Sequence, residues 1–474
     1  MLYPDNKILL GVAPTRRDEP AFSAEVAGPA KKVVLNKLKE MGIDFVDLDG
    51  TCGDGILTTL DDVDAAAKYF SEKGVNALFI PSIVFGNEGA SALLAKKLGV
   101  PVMIWAPVDP VGDGKSGCPQ LGTLTIHKAL RRLGVPFTFL GSVDVDHPLF
   151  EKGMRTFIAA ANVVKEFKRA KILQIGPRPE SFWSVIENEG ELLERFGIQI
   201  CPVSLPEFFD EYDAAQSDER VKDIAKELAD RTTLCVDYSV AEKSAAMMIA
   251  MEKLAAQYHA TAISIRCWNE LQKHLGMFPC AAAGLLSEKG LVVSCEGDVH
   301  GAISLLIGQA ASMGKVFPTL VDYDNGHAKE LNLMRTHHCS ASPIPCYQEK
   351  PKLGKRADWG GCLCGQYPTS GKMSFLQFAG DNGKYSVLLA RGEGADGPAR
   401  FDGRTFGWHK VEDWPTFEYK LSTGPYVHHG IIISDDILPA VHEALRFIDG
   451  LEPDYVFDSD RLEMESFMYK RDTP

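Results

Sequence analysis

"NALFIPSIVFGNEGASALLAKKLGVPVMIWAP", residues 76–107, decides the fold class. It opens on an apolar run (76–82), passes through the amphipathic stretch 89–99 and closes on a second apolar run (101–107). Two short strands around a helix of about ten residues, with Gly99 at the helix end, spell a β-α-β unit, because parallel neighbours need a crossover helix. The same texture runs back through "KILLGVA" (7–13), "AKKVVLNKLKEMG" (30–42), "DFVDLDG" (44–50) and "LDDVDAAAKYFSEKG" (60–74). Repeated β-α units predict a parallel sheet with helices on both faces, a doubly wound layer.

Further along, a second block of the same kind starts at "AKILQIGPRP" (170–179). It continues through "GELLERFGIQICPVS" (190–204), "TTLCVDYS" (232–239), a helix near 240–258, "ATAISIRCW" (260–268) and "LVVSCEG" (291–297). The stretch 149–168 reads as a helix bridging the two blocks. After about residue 345 the sequence becomes Gly-rich and β-leaning, in "GKMSFLQFAG", "KYSVLLARGEG", "ARFDGRTFGWHKVE" and "FEYKLST". Short strands with Gly turns predict an antiparallel, barrel-like domain. The expected organisation is α/β: an N-terminal doubly wound domain (1–168), a middle one (169–318) and a β-rich C-terminal domain (319–474).

A chain of 474 residues exceeds what one core usually organises, and 45% hydrophobic with 24% charged residues is the composition of a folded globular protein. The formal charge of −14 disfavours broad contact with nucleic acid or anionic membranes. A small neutral ligand is expected instead. No stretch approaches the roughly 18 uncharged apolar residues of a membrane span, and the start "MLYPDNKILLGVAPTRRDEP" lacks the pattern of a signal peptide. Eleven cysteines, an odd number without a secretion signal, are expected to stay reduced in the cytoplasm.

Four polar clusters in the C-terminal half can carry chemistry: Glu296 with Asp298 and His300; Asp322, Asp324 and His327; His337 with His338; and His428 with His429. Glu296 follows the apolar run "LVVSC" and Asp322 ends the run "VFPTLV". Strand ends are where open α/β sheets expose ligand sites. Taken singly, an acid at a helix start is a cap and a buried histidine a core residue. Together, paired carboxylates and imidazoles without a thiolate suit Mn²⁺, Mg²⁺, Co²⁺ or Fe²⁺ better than structural zinc. "VGDGKSG" (111–117) ends like a phosphate loop, but Asp109 stands where that motif needs Gly. "GCLCG" (361–365) is C-x-C and not a C-x-x-C pair, and Cys339 would need a distant base to act as a nucleophile. A G-x-S-x-G elbow is not present.

In order and spacing, "CEGDVHGAIS", "TLVDYD", "THHC" and "VHHG" resemble the L-fucose isomerase and L-arabinose isomerase superfamily. "GVAPTRRDEP", "PSIVFGNEG", "PVMIWAP" and "SGCPQLGTLTIHKALRRLGVPFTFLGSVDVD" extend the likeness into the N-terminal half. The resemblance implies two Rossmann-like domains, a β-rich C-terminal domain, and aldose–ketose isomerisation of an open-chain monosaccharide, L-fucose- or L-arabinose-like, through an enediol. It further implies Mn²⁺ or a similar divalent ion and a homo-oligomer, a hexamer in most relatives. Position by position, Glu296 and Asp322 match the two acidic ligands, which double as acid and base, and His429 matches the shared ligand histidine. His338, with His337 as competitor, resembles the additional ligand of the arabinose branch. Arg16, Phe85, Trp408 and His428 are the expected sugar contacts, while Asp298 and His300 keep capping and supporting roles. The rival functions are a sugar-binding module without catalysis and a metal-dependent hydrolase or lyase on a sugar derivative.

Overall fold

The computed structural model describes residues 3–109, 117–324, 333–338, 341–398 and 404–468. His327, Cys339 and most of the "VGDGKSG" loop lie outside them. Compactness divides the chain into two units: one of residues 1–5, 166–438 and 450–457, the other of 6–165, 439–449 and 458–474. The expected boundary at 168/169 lies beside this division, and the one at 318/319 falls inside the first unit.

The second unit is built on β1 (Leu10–Val12), β2 (Phe45–Asp47), β3 (Ala77–Pro81), β4 (Val102–Trp105) and β5 (Thr138–Phe139). They form one parallel sheet in the order β2-β1-β3-β4-β5, the flavodoxin-like doubly wound order. The quoted stretch is its centre. Asn87 caps the helix Glu88–Leu98 by accepting from the Ala90 N–H, and Gly99 closes it at φ 62°. Alternate strand residues enter opposite cores. Phe79, Met103 and Trp105 pack with the helices 24–40 and 148–168, whereas Leu78, Ile80 and Ile104 pack with 62–73, 88–98 and 119–132.

The first unit holds β6 (Lys171–Ile175), β7 (Gln199–Val203), β8 (Thr233–Leu234), β9 (Ala262–Ile265) and β10 (Val292–Ser294). Four of these form a parallel sheet in the order β10-β9-β6-β7. β8 departs from expectation: only two exposed residues of "TTLCVDYS" are extended, and they join β13 (Lys352–Arg356) and β14 (Trp359–Cys364) in a separate three-stranded sheet.

The remaining strands are β11 (Thr319–Asp324), β12 (Met334–His338), β15 (Lys372–Asp381), β16 (Lys384–Ala395), β17 (Thr405–Val411), β18 (His429–Ile433) and β19 (Leu451–Tyr455). Six close antiparallel into a barrel, β15-β18-β11-β12-β17-β16 and back to β15, and β19 adds parallel to β16. Val321, Tyr323, Met334, Phe375, Leu388, Val411 and Ile432 fill the interior. By the two-residue period of a strand, Asp322, Asp324, Arg335, His337, Trp408 and His429 therefore lie on the outer wall. "FEYKLST", expected as a strand, belongs to the helix Trp414–Thr423. Asp413 caps it, Pro415 sits in its first turn, and Trp414, Phe417 and Leu421 recur at helical spacing against the barrel core.

His409 is buried inside the barrel, its Nε2 2.7 Å from Thr336 Oγ1. Burial pulls its pKa down to about 3. A depressed pKa means that its contribution to stability is intact above the unfolded value of about 6.5 and is lost as pH falls toward the folded value, at about 1.4 kcal/mol per pH unit. The urea midpoint is expected to drop less between pH 6.5 and 4.5 for His409→Gln than for the unaltered chain. Equal drops would contradict this.

Candidate active site on the outer wall of the barrel

The helix Val299–Ala311 brings the two layers of the first unit together. Twelve of its thirteen residues are buried, as suits a helix apolar all round. It packs on β9 and β10 on one side and on β15 and β18 on the other. Gly308 makes the approach to the barrel close, since a Cβ there would lie 2.6 Å from Ile431 Cδ1. The turn entering this helix, Cys295–Asp298, is thereby held against the outer face of β11 and β18.

Within that turn Glu296 adopts φ 63° and Gly297 φ 75°. A left-handed non-glycine residue costs about 1–2 kcal/mol and persists where its surroundings over-determine it. Glu296 is 7% exposed, its Oε1 accepts the Trp268 indole N–H at 2.6 Å, and its Oε2 lies 3.1 Å from His429 Nε2. Asp298 has two tasks. It caps the helix by accepting from the Gly301 N–H at 2.8 Å, and its other oxygen lies 2.9 Å from His429 Nδ1.

Asp322 sits fourth in the six residues of β11, where the expectation placed it at a strand end. It is paired across the ladder with His337 on one side and His429 on the other. Its Oδ1 lies 3.6 Å from His429 Nε2, 3.8 Å from His428 Nε2 and 3.3 Å from His338 Nδ1, and its Oδ2 lies 3.5 Å from His337 Nε2.

Charge follows from this geometry. Burial opposes ionisation of Glu296, yet the hydrogen bond and charge of His429 outweigh it and its pKa is lowered. Asp322, also opposed by burial, is held well below the carboxylate range by His338, His429 and His428. Burial opposes the charge on His429, but the flanking carboxylates of Asp298, Glu296 and Asp322 raise its pKa well above the usual value. His428 is lowered, first by burial and then by the neighbouring imidazole of His429. Three carboxylates facing one charged imidazole leave a buried excess of negative charge, which a divalent cation is suited to offset. Ligand-type atoms of Glu296, His428 and His429 all lie within 4.8 Å of one another. Such an O/N donor set fits Mn²⁺ and its neighbours.

Residues 11–168 match the family model described as fucose/sulfoquinovose isomerase, N-terminal domain. Over 406 residues the chain is 25% identical to a sulfoquinovose isomerase of Alkalicoccus urumqiensis, covering 83% of this chain and 89% of that protein. It is 22% identical over 420 residues to one of Priestia aryabhattai, covering 85% and 92%. Residues 11–168 thus carry that family's N-terminal domain, and the likeness to sugar isomerases runs through most of the chain. The chain is an isomerase. A solved periplasmic solute-binding protein from Actinobacillus succinogenes with bound D-allose aligns over 65% of this chain and 91% of its own, at 13% identity and a TM-score of 0.17, too low to carry an argument.

The structure gathers Glu296, Asp322, His428 and His429 on the outer wall of the barrel, with His337 and His338 also beside Asp322. His428, expected only as a sugar contact, joins Glu296 and His429 in the ligand-type cluster, whereas His338 lies outside that cluster. The difference lies in what each ring faces. His338 has the inward parity of β12, and at the strand end it turns its Nε2 to within 2.7 Å of Cys295 Sγ and its Nδ1 toward Asp322. His337 has the outward parity and faces Asp322 and Asp324. Trp408 lies on the same wall, buried, donating its indole N–H to the Pro398 carbonyl at 2.9 Å with the Arg335 guanidinium 6.0 Å from its ring. Arg16 and Phe85 belong to the other compact unit, where Arg16 pairs with Asp54 at 3.1 Å and Phe85 lies under the Arg17 guanidinium at 4.0 Å. His300 is partly buried, edge-on to Phe378.

Trp268 was not anticipated. A tryptophan directly after a β strand carries no signal of its own, and only the side-by-side pairing of β9 with β10 delivers it to Glu296. The task of Asp298 gives a direct test. Asn serves as well as Asp in a helix cap, so Asp298→Asn should leave the thermal midpoint nearly unchanged. By weakening the support of His429 it should lower kcat/KM by about 10–100-fold. A variant as active as the parent would show that the Asp298 charge does not act through His429.

Proposed function

We propose that the protein interconverts an aldose and a ketose in open-chain form, using Glu296 and Asp322 as acid and base and holding a divalent cation between Glu296, His428 and His429. The observation that carries this is the convergence of Glu296 with the His428–His429 pair beside Asp322. A divalent cation bound there would supply the polarisation of the sugar's carbonyl and neighbouring hydroxyl oxygens. Asp298 on Nδ1 of His429 leaves Nε2 as the ligand atom. Glu296 takes the proton from C2 of the aldose and returns it to C1. Asp322 carries a proton from the C2 hydroxyl to the C1 oxygen, so the ketose forms with no net gain or loss of protons. Two carboxylates this close to one imidazole titrate as a unit, so neither has a private pKa.

Curated relatives that span most of the chain are sulfoquinovose isomerases, which supports a sulfonated hexose as substrate ahead of L-fucose or L-arabinose. A sulfonate needs a cation. Arg178 lies against the catalytic turn, its Cα 2.7 Å from where a Cβ on Gly297 would stand. Its guanidinium donates to the carbonyls of Pro179 and Glu180, each at 3.0 Å, and its charge also acts on the Glu187 carboxyl. We assign it to the sulfonate, and we retain the homo-oligomer as the expected assembly.

The test is interconversion followed by proton NMR in D₂O, with chelator-treated and Mn²⁺-loaded protein, on sulfoquinovose, D-glucose, L-fucose and L-arabinose. Mn²⁺ should restore activity lost to the chelator, and deuterium should enter at C1. Arg178→Gln should raise KM by about 10-fold for the sulfonated sugar alone, the loss of one charge-assisted contact. No conversion of any sugar, or conversion indifferent to Mn²⁺, would sink the proposal.

A further inference from the structure

The geometry points to Trp268 as a positioning residue that holds one oxygen of Glu296 so that only the other is offered to the cation. This rests on the metal-dependent function proposed above. The Trp268 indole N–H donates to Glu296 Oε1 at 2.6 Å, while Oε2 alone faces His429 at 3.1 Å. A carboxylate is otherwise free to close on a cation with both oxygens. With Oε1 held, Glu296 would offer Oε2 to a bound cation, and Oε1 keeps a second lone pair that can receive a proton.

Three features fix the arrangement. Trp268 and Glu296 follow the paired parallel strands β9 and β10, so their loops stand side by side. Both loops carry a non-glycine residue at positive φ, Asn269 at 71° and Glu296 at 63°. Such conformations persist where tertiary contacts impose them. The indole face is also covered. Arg356 places its guanidinium 4.5 Å from the ring centroid, and Phe278 meets the ring edge-on at 6.3 Å. A cation over the ring draws electron density toward itself and strengthens the N–H as a donor.

Trp268→Phe keeps the ring and removes the donor. Co²⁺ is titrated into chelator-treated protein, unaltered and variant, by calorimetry and by visible absorption without sugar, and kcat and KM are measured with Mn²⁺. The variant is expected to bind Co²⁺ about 10–100-fold more weakly, the usual loss for an outer partner of a ligand. Its absorption should be weaker as Glu296 closes with both oxygens and the coordination number rises. Its kcat should fall while KM stays within about twofold of the parent, the pattern of a contact that matters in the transition state. Equal Co²⁺ affinity and equal spectra would overturn the inference while leaving the proposed function standing. Failure of the unaltered protein to take up Co²⁺ would overturn both. Should Trp268→Phe not fold, Arg356→Gln decides: a weakening of Co²⁺ binding by about 2–5-fold supports the inference, and an unchanged affinity overturns it.

Discussion

Glu296→Gln is expected to lower kcat by about 10³-fold, the middle of the range for a positioned acid–base group, with little change in KM for the sugar. The substitution keeps the shape of the side chain, and the amide oxygen can still accept the Trp268 N–H. It removes the negative charge that His429 stabilises at 3.1 Å and the lone pair that takes the C2 proton. The thermal midpoint should fall, because the lowered pKa of Glu296 means that its charge, held by His429, contributes to stability at neutral pH. Measured by steady-state kinetics beside circular dichroism, a kcat within tenfold of the parent would assign the proton transfer elsewhere, with Asp322 the next residue to test.

Gly297→Ala is expected to destabilise the fold and to disturb the site together. The residue has φ 75°, and a Cβ there would stand 2.7 Å from the Arg178 Cα and 3.1 Å from its backbone nitrogen. The neighbour is main chain, so it cannot rotate away. Adding about 1–2 kcal/mol for the left-handed conformation to about 1–3 kcal/mol for overpacking predicts a loss of about 2–5 kcal/mol. Relief of the contact must also shift the turn that holds Glu296, and a displacement of about 1 Å is enough to cost about 10²-fold in rate. Urea unfolding and kcat should fall together. A variant as stable as the parent would mean that the turn relaxes without strain.

Much of the fold was legible because local periodicity reports local structure. The run 76–107 shows its strand, helix and strand, and the caps Asn87 and Gly99 stand where the chain must turn. Legibility failed where an element depends on a distant partner. "TTLCVDYS" contributes only a two-residue strand because β13 is there to pair with it, and "FEYKLST" is helical because the barrel core receives Trp414 and Phe417. In the site, Glu296 could be singled out as an acid after an apolar run. Asp322 was visible as an acid too, but its place inside an antiparallel ladder was not.

What the sequence by itself determined is the inventory: alternating β-α units, a β-rich third region, and carboxylates and paired histidines at particular spacings. Only the tertiary structure decided which of them meet. Asp298 reaches His429 across 131 positions and Trp268 reaches Glu296 across 28, separations to which helix and strand periods are blind. Strand pairing made the neighbours. Pairing of β11 between β12 and β18 brought both His-His pairs to Asp322, and closure of the barrel, not composition, set His429 against Glu296 and His338 against Cys295.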